Sequence, residues 1–204
     1  MNSEEIAINV AIIPPEEIIT LAVEINKESN KQGNKTKDLR MEDFIPHITL
    51  FMGIIKSKDL TNVRLELEKL IETTRSFKLT LLEIKESQTH PSEESYISVE
   101  KNDNLQKLHD KITSILSKHT LNLATPTHLY DGEKTGIGKN TKNWLETYAK
   151  TSTYKNYFPH LTLRCKKIET KELPKTFMVN TIGIFHAGDG ATCRTLLKEY
   201  NIKK

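Results

Sequence analysis

The sequence predicts an α+β protein built in two lobes. Apolar residues alternate between strand-like and helix-like spacing along the chain, and the closing third reads as successive strands, which favours antiparallel pairing over repeated β-α units. A five-residue segment also occurs twice, Pro-His-Ile-Thr-Leu at 46–50 and Pro-His-Leu-Thr-Leu at 159–163, one copy for each lobe.

The elements follow in order. Residues 6–13 form a β-branched apolar run stopped by Pro14 and Pro15, the pattern of a buried strand. From Pro15 to Lys27 the residues Ile18, Ile19, Leu21, Ala22 and Ile25 recur at helical spacing, with Glu16 and Glu17 suited to a first turn. Residues 28–43 are polar, contain the Gly33-Asn34 pair and read as a long loop. A strand over 47–53 follows Pro46, with His47, Thr49 and Phe51 on one face and Ile48, Leu50 and Met52 on the other. Leu60, Val63, Leu67, Leu70 and Ile71 predict a helix over 59–73. Strands over 77–84 and 96–99 flank a polar tip, and Leu105, Leu108, Ile112, Ile115 and Leu116 mark a helix over 102–117. Residues 119–143 carry Pro126, Gly132, Gly136 and Gly138 and read as an irregular lid, binding loop or plain connection. Strands are expected over 160–165, 176–185 and 191–200, the last two joined by the turn-rich 186–190.

Composition narrows the function classes. The chain has 204 residues, 36% hydrophobic and 28% charged, with 8 Gly and 7 Pro, which excludes collagen-like, linker-like and disordered chains. No apolar run reaches the roughly 18 residues needed to span a bilayer. The acidic start lacks the cationic region and cleavage site of a secretory signal, so a cytoplasmic protein without membrane partners is expected. Cys165 and Cys193 alone make neither a disulfide framework nor a zinc cage. Nothing calls for an oligomer, and a monomer is the expectation. Residues 1–102 hold 13 Lys/Arg against 18 Asp/Glu, whereas 103–204 hold 17 against 9. A basic second half suits an anionic partner such as a nucleotide or RNA, although scattered lysines also fit an ordinary solvated surface.

The repeated pentad is the strongest chemical signal. With 7 His and 23 Thr, about 0.8 His-x-Thr triplets arise by chance, but the whole pentad is expected only ~0.0007 times. On a strand, His and Thr at i and i+2 leave from one face, so each copy presents an imidazole beside a hydroxyl. Brought together, one neutral imidazole takes a proton from the attacking oxygen while the other, protonated, gives one to the leaving oxygen; an ordinary His pKa near 6.5 suits both. Two hydroxyls then donate to the non-bridging oxygens of a phosphate. No metal or cofactor is expected: there is no H-E-x-x-H, C-x-x-C or P-loop.

On these residues the chain resembles the 2H phosphoesterase superfamily, which includes RNA 2′,5′-ligase-like proteins and cyclic nucleotide phosphodiesterases. The resemblance extends over nearly the whole of 1–204 and implies a single bilobal domain: two pseudo-symmetric lobes of mainly antiparallel sheet with outer helices, each giving one His-x-Thr motif to a central cleft. It implies that His47 and His160 are the acid-base pair and that Thr49 and Thr162 bind the phosphate. Many ligase-like members carry an Arg where this chain has Cys165.

Arg164 continues the alternation of His160 and Thr162 and is expected to face the cleft and neutralise a phosphate. Phe51 holds the matching place after His47 and Thr49, where it either stacks a base or belongs to the core. Tyr130 and Lys139 are further candidates for touching substrate. The glycine-containing 132–140 lacks P-loop spacing and reads as a flexible loop. His90, His109, His119, His128 and His186 have no repeated context and receive no chemistry. The resulting expectation is a metal-independent phosphodiesterase acting on a 2′,3′-cyclic phosphate or 2′,5′-linkage of a nucleotide or RNA. The alternatives are a non-catalytic nucleotide- or RNA-binding module and a phosphodiesterase for a cyclic signalling nucleotide.

Overall fold

The computed structural model describes residues 4–32, 39, 44–87, 94–170 and 172–203. Eight strands, β1 (Glu5–Ile12), β2 (Ile48–Lys56), β3 (Phe77–Glu86), β4 (Ser95–Val99), β5 (His160–Thr162), β6 (Lys175–Val179), β7 (Thr181–Gly188) and β8 (Thr192–Asn201), make one sheet in the order β6-β3-β4-β5-β2-β1-β7-β8. Neighbouring strands in this order all run antiparallel. Helices α1 (Glu16–Lys31), α2 (Leu60–Glu72), α3 (Asp103–Leu116), the short α4 (Gly132–Thr135) and α5 (Lys139–Thr151) complete the α+β fold.

The expected strand 6–13 is β1, flanked by β2 and β7. Residues 7–12 are all buried, which is why its sequence is apolar at all but one of these positions. Its one polar interior residue, Asn9, is fully buried. The α1 helix outruns its predicted end at Lys27 because two polar residues of its last turns are tied inward. Asn26 Nδ2 donates to the carbonyls of Leu163 (2.8 Å) and Arg164 (3.3 Å), and Ser29 Oγ donates to that of Lys166 (3.1 Å). Periodicity of apolar residues cannot report such bonds. Residues 33–38 and 40–43 of the 28–43 loop, including Gly33-Asn34, and His90 lie outside the described residues.

Two expectations fail for physical reasons. The single strand predicted over 176–185 is two strands, β6 and β7, separated by Asn180. Asn180 accepts from Ser76 Oγ through Oδ1 (2.7 Å) and from the Ile202 amide through its carbonyl (2.8 Å). Because one residue joins strands near opposite ends of the sheet order, the sheet must curl until those ends approach; Arg75 and Lys203 bridge them. The second failure is α5, which occupies chain read as irregular or left unassigned. Its apolar content is low, but Thr141, Leu145 and Tyr148 are buried at helical spacing. The stretch 132–140, read as a flexible loop, is α4, a short connection and the first residues of α5.

The halves of the sheet meet at β2 and β5, the two pentad strands. Their register is fixed by the pairing of Ile48 with Leu161, the central residue of each His-x-Thr. Beyond this pair β2 carries a bulge: Ala11 faces Thr49 and Val10 faces Phe51, leaving Leu50 as the extra residue. The bulge carbonyls are satisfied from outside the sheet, Leu50 O by His109 Nδ1 (2.8 Å) and Thr49 O by Tyr157 Oη (3.0 Å). The His109 and Tyr157 rings stack at 3.8 Å, so His109 has a structural role.

Candidate active site

From Pro46 to Leu50 and again from Pro159 to Leu163, buried and half-buried residues alternate. Ile48, Leu50, Leu161 and Leu163 are 0% exposed and root each motif in the core, while His47, Thr49, His160 and Thr162 line a single cavity of about 970 Å³. The pairing of Ile48 with Leu161 sets the motifs antiparallel and adjacent, one from each half.

The proline of each pentad has a local role. His47 Nδ1 lies 2.8 Å from the Ile45 carbonyl and His160 Nδ1 lies 3.0 Å from the Phe158 carbonyl, each two residues upstream across the proline. Proline fixes its own φ and holds the preceding residue extended, which presents that carbonyl to the imidazole. A carbonyl only accepts, so in the neutral form of each ring Nδ1 is the protonated nitrogen and Nε2 carries the lone pair. Burial lowers both pKa values. His47 is pushed down to about 4, chiefly by desolvation, with Arg164 and His160 adding to it against the opposing Ile45 carbonyl. His160 is lowered by desolvation, opposed by the Phe158 carbonyl.

Arg164 also lines the cavity, although β5 ends at Thr162 and strand alternation no longer applies. It reaches the wall from a left-handed backbone (φ 52°), with Nη2 donating to the Gly190 carbonyl at 2.8 Å and the guanidinium 5.9 Å from the Phe44 ring. Phe51 does not line it. The bulge at Leu50 resets the alternation after Thr49, leaving Phe51 0% exposed with its ring edge-to-face with Tyr148 at 5.6 Å, so the core alternative holds and Phe51 cannot offer a face to a base. Met52 lines the cavity instead. Lys139, the first residue of α5, lines it too, whereas Tyr130 packs against Arg194 at 5.0 Å.

Several cavity residues escape a reading of the sequence. Phe158 is 55% exposed in the wall, with its ring 5.4 Å from His160 and 5.5 Å from Tyr96. The only sequence signal for it is an aromatic residue two places before a motif histidine. The turn 189–191 organises a second wall through three consecutive residues. The Asp189 carboxylate accepts from the Gly138 amide (2.8 Å) and Thr141 Oγ1 (2.6 Å), fixing the start of α5. Gly190 O accepts from Arg164, and Ala191 O accepts from Asn9 Nδ2 at 3.2 Å. Gly190 has φ 69°, which favours glycine, and a Cβ there would stand 2.7 Å from Arg164 Nη2, so a side chain would push the guanidinium aside. Asn9 has a sequence signal, as the lone polar residue in an apolar strand. Both thiols are buried with raised pKa values, which makes them poor nucleophiles. Among the described residues, no group of three or more His, Cys, Asp or Glu is placed to hold a metal, and no helix is long and apolar enough to cross a membrane.

The α+β arrangement of one eight-stranded antiparallel sheet with outer helices is the fold of LigT. E. coli LigT complexed with NADP+ superimposes with a TM-score of 0.61 at 14% identity, over 99% of this chain and 100% of that one. The Thermus thermophilus protein TT0787 gives 0.57 at 12% identity (97% and 98% covered), and a crystal structure described as a phosphoesterase gives 0.54 at 16% (98% and 100%). No protein-family model and no curated protein matches the chain.

Proposed function

We propose that the protein is a metal-independent phosphodiesterase that opens a 2′,3′-cyclic phosphate or a 2′,5′-linkage on a nucleotide or RNA end, working as a single bilobal unit. The observation that carries this is the symmetric pinning of two imidazoles, each with Nδ1–H on the carbonyl two residues upstream and Nε2 left for proton transfer, in one cavity. One imidazole accepts the proton of the attacking oxygen, and the other supplies the proton that the leaving ribose oxygen needs. Thr49 and Thr162 donate to the non-bridging oxygens, and Arg164 offsets the phosphate charge.

Phe158, exposed beside His160 and buttressed by Tyr96, replaces Phe51 as the surface for a base to stack on. The cavity, about 970 Å³, is at the upper end of small-molecule sites, which leaves room for more than one nucleotide. E. coli LigT has been crystallised with NADP+, 3′-AMP, phosphate and ATP, ligands that share a phosphate and, in three cases, an adenosine. These complexes support a nucleotide as the ligand class here.

The test is product analysis after EDTA-treated protein is incubated with 2′,3′-cyclic mononucleotides and with 2′,5′- and 3′,5′-linked dinucleotides. Opening of a cyclic phosphate or a 2′,5′-bond supports the reading. A folded protein that turns over none of them, or that loses all activity on chelation, refutes it.

A further inference from the structure

The two motifs are alike in their backbone, but their surroundings differ at one residue. Asn9 of β1 is 0% exposed, and its Nδ2 faces three acceptors: the Ala191 carbonyl at 3.2 Å, Thr49 Oγ1 at 3.2 Å and His47 Nε2 at 3.4 Å. The carbonyl fixes the amide's orientation, because it accepts only and so must meet the NH₂ end. Two consequences follow at the first motif. Thr49 Oγ1 accepts a hydrogen bond from Asn9, so its own hydroxyl proton is directed elsewhere. The amide's second hydrogen lies between Thr49 Oγ1 and His47 Nε2, so Nε2 faces a donor N–H, which suits a lone pair and opposes an imidazolium N–H. Asn9 Oδ1 has no hydrogen-bond partner among the described residues, so the donor end is satisfied at the expense of the acceptor end. His160 is surrounded differently: its Nδ1 is held by the Phe158 carbonyl and its ring is flanked by Tyr96 and Phe158.

We infer that Asn9 is a positioning residue that sets the direction of the acid-base pair, holding His47 as the base and turning the Thr49 hydroxyl toward the phosphate, so that His160 is the acid. The inference rests on the phosphodiesterase reading for its chemistry. In the forward step an attacking water displaces the longest Asn9 contact, gives its proton to His47 Nε2 and bonds to phosphorus. The bond from phosphorus to the ribose oxygen breaks, its electron pair remains on that oxygen, and His160 Nε2–H protonates it. His47 ends protonated and His160 neutral, and exchange with solvent restores both.

Other charges around His47 do not substitute for Asn9. Arg164 and the His160 ring act on it directly, while Glu94, Lys139 and Asp189 line more of the same wall. Among the described residues, Asn9 alone places a donor at Nε2.

The experiment is a ¹⁵N imidazole NMR titration of the substrate-free protein, which reads His47 whether or not any phosphodiester is cleaved. Asn9→Asp keeps the shape and replaces the donor with an anion, so the His47 titration should move up by about 1–3 pH units, the usual effect of a close opposite charge. Asn9→Ser, whose hydroxyl can accept from an imidazolium, should move it in the same direction by less and serves if the aspartate variant does not fold. In the folded variants the acid limb of kcat/KM for the cleaved substrate should move by the same amount as the titration. An unmoved His47 titration in folded variants overturns the inference and leaves the phosphodiesterase reading untouched; absence of turnover in the wild type refutes that reading while the titration still tests the contact.

Discussion

Ile48 and Leu161, the middle residues of the two His-x-Thr segments, face each other across the centre of the sheet. Neither touches the chemistry, and both are fully buried, yet their pairing brings the two histidines to one cavity. The buried half of each pentad thus does the placing, and the half-buried half lines the cavity. Cutting Ile48 or Leu161 back to Ala should cost about 2–5 kcal/mol of stability, the usual range for buried aliphatic residues. Denaturant melts measure the loss, and activity should fall in the folded fraction because the motif spacing relaxes.

His47→Ala and His160→Ala should each lower kcat by about 10² or more, the range for a single general acid or base, with a much smaller change in KM. Steady-state kinetics on a cyclic nucleotide checks this. A variant that keeps wild-type kcat removes its histidine from proton transfer.

The pentads are legible in the sequence because their meaning is local: proline, alternation and His-x-Thr spacing all act within five residues. The first strand and the helices α2 and α3 are legible for the same reason, since apolar periodicity reports a buried face directly. What the sequence conceals depends on partners distant along the chain. Phe51 shares a face with Thr49 only if β2 is regular, and the bulge at Leu50 is stabilised by His109 and Tyr157, 59 and 108 residues away from the carbonyls they meet. The α5 helix begins where Asp189 accepts from Gly138 and Thr141, about fifty residues upstream of it. Asn9 acquires its role only when Ala191 O arrives beside it.

His47 should shape the pH dependence of stability. Its pKa falls from an ordinary 6.5 in the unfolded chain to about 4 in the fold. Between those values the unfolded state binds more protons, so stability rises with pH there. The contribution is complete above about 6.5 and is lost as pH falls toward 4. His47→Gln removes it, and thermal melts should show a smaller loss of Tm for that variant than for the wild type over this interval.

Phe158 and Phe51 should separate binding from folding. Base stacking is worth about 1–3 kcal/mol, so Phe158→Ala should raise KM about 5- to 150-fold with kcat little changed. Phe51→Ala instead empties core volume and should cost about 3–5 kcal/mol in a denaturant melt. Equal effects of the two on KM would return the base to the wrong wall.

Gly190 and Arg164 should behave as one unit. A side chain at 190 meets a left-handed backbone and the Arg164 guanidinium together, so Gly190→Ala should displace Arg164 as well as strain the turn. Gly190→Ala and Arg164→Ala are each expected to weaken phosphate binding, and the double variant should bind no worse than the poorer single one, since the second change has nothing left to remove. Calorimetry with inorganic phosphate checks the cycle, and additive losses would show that the turn and the arginine act independently.

The direction of proton flow can be read from the leaving group. An alkoxide leaves poorly without a proton, whereas p-nitrophenolate is stable enough to leave without one, so a general acid matters for the first and little for the second. If His160 is the acid, His160→Ala should lose far more activity on a ribose-oxygen leaving group than on a nucleoside p-nitrophenyl phosphodiester. His47→Ala removes the base, which both substrates need, and should be similarly impaired on both. The opposite pattern, with the activated ester rescuing His47→Ala, would exchange the two roles while leaving the shared cavity and the paired motifs in place.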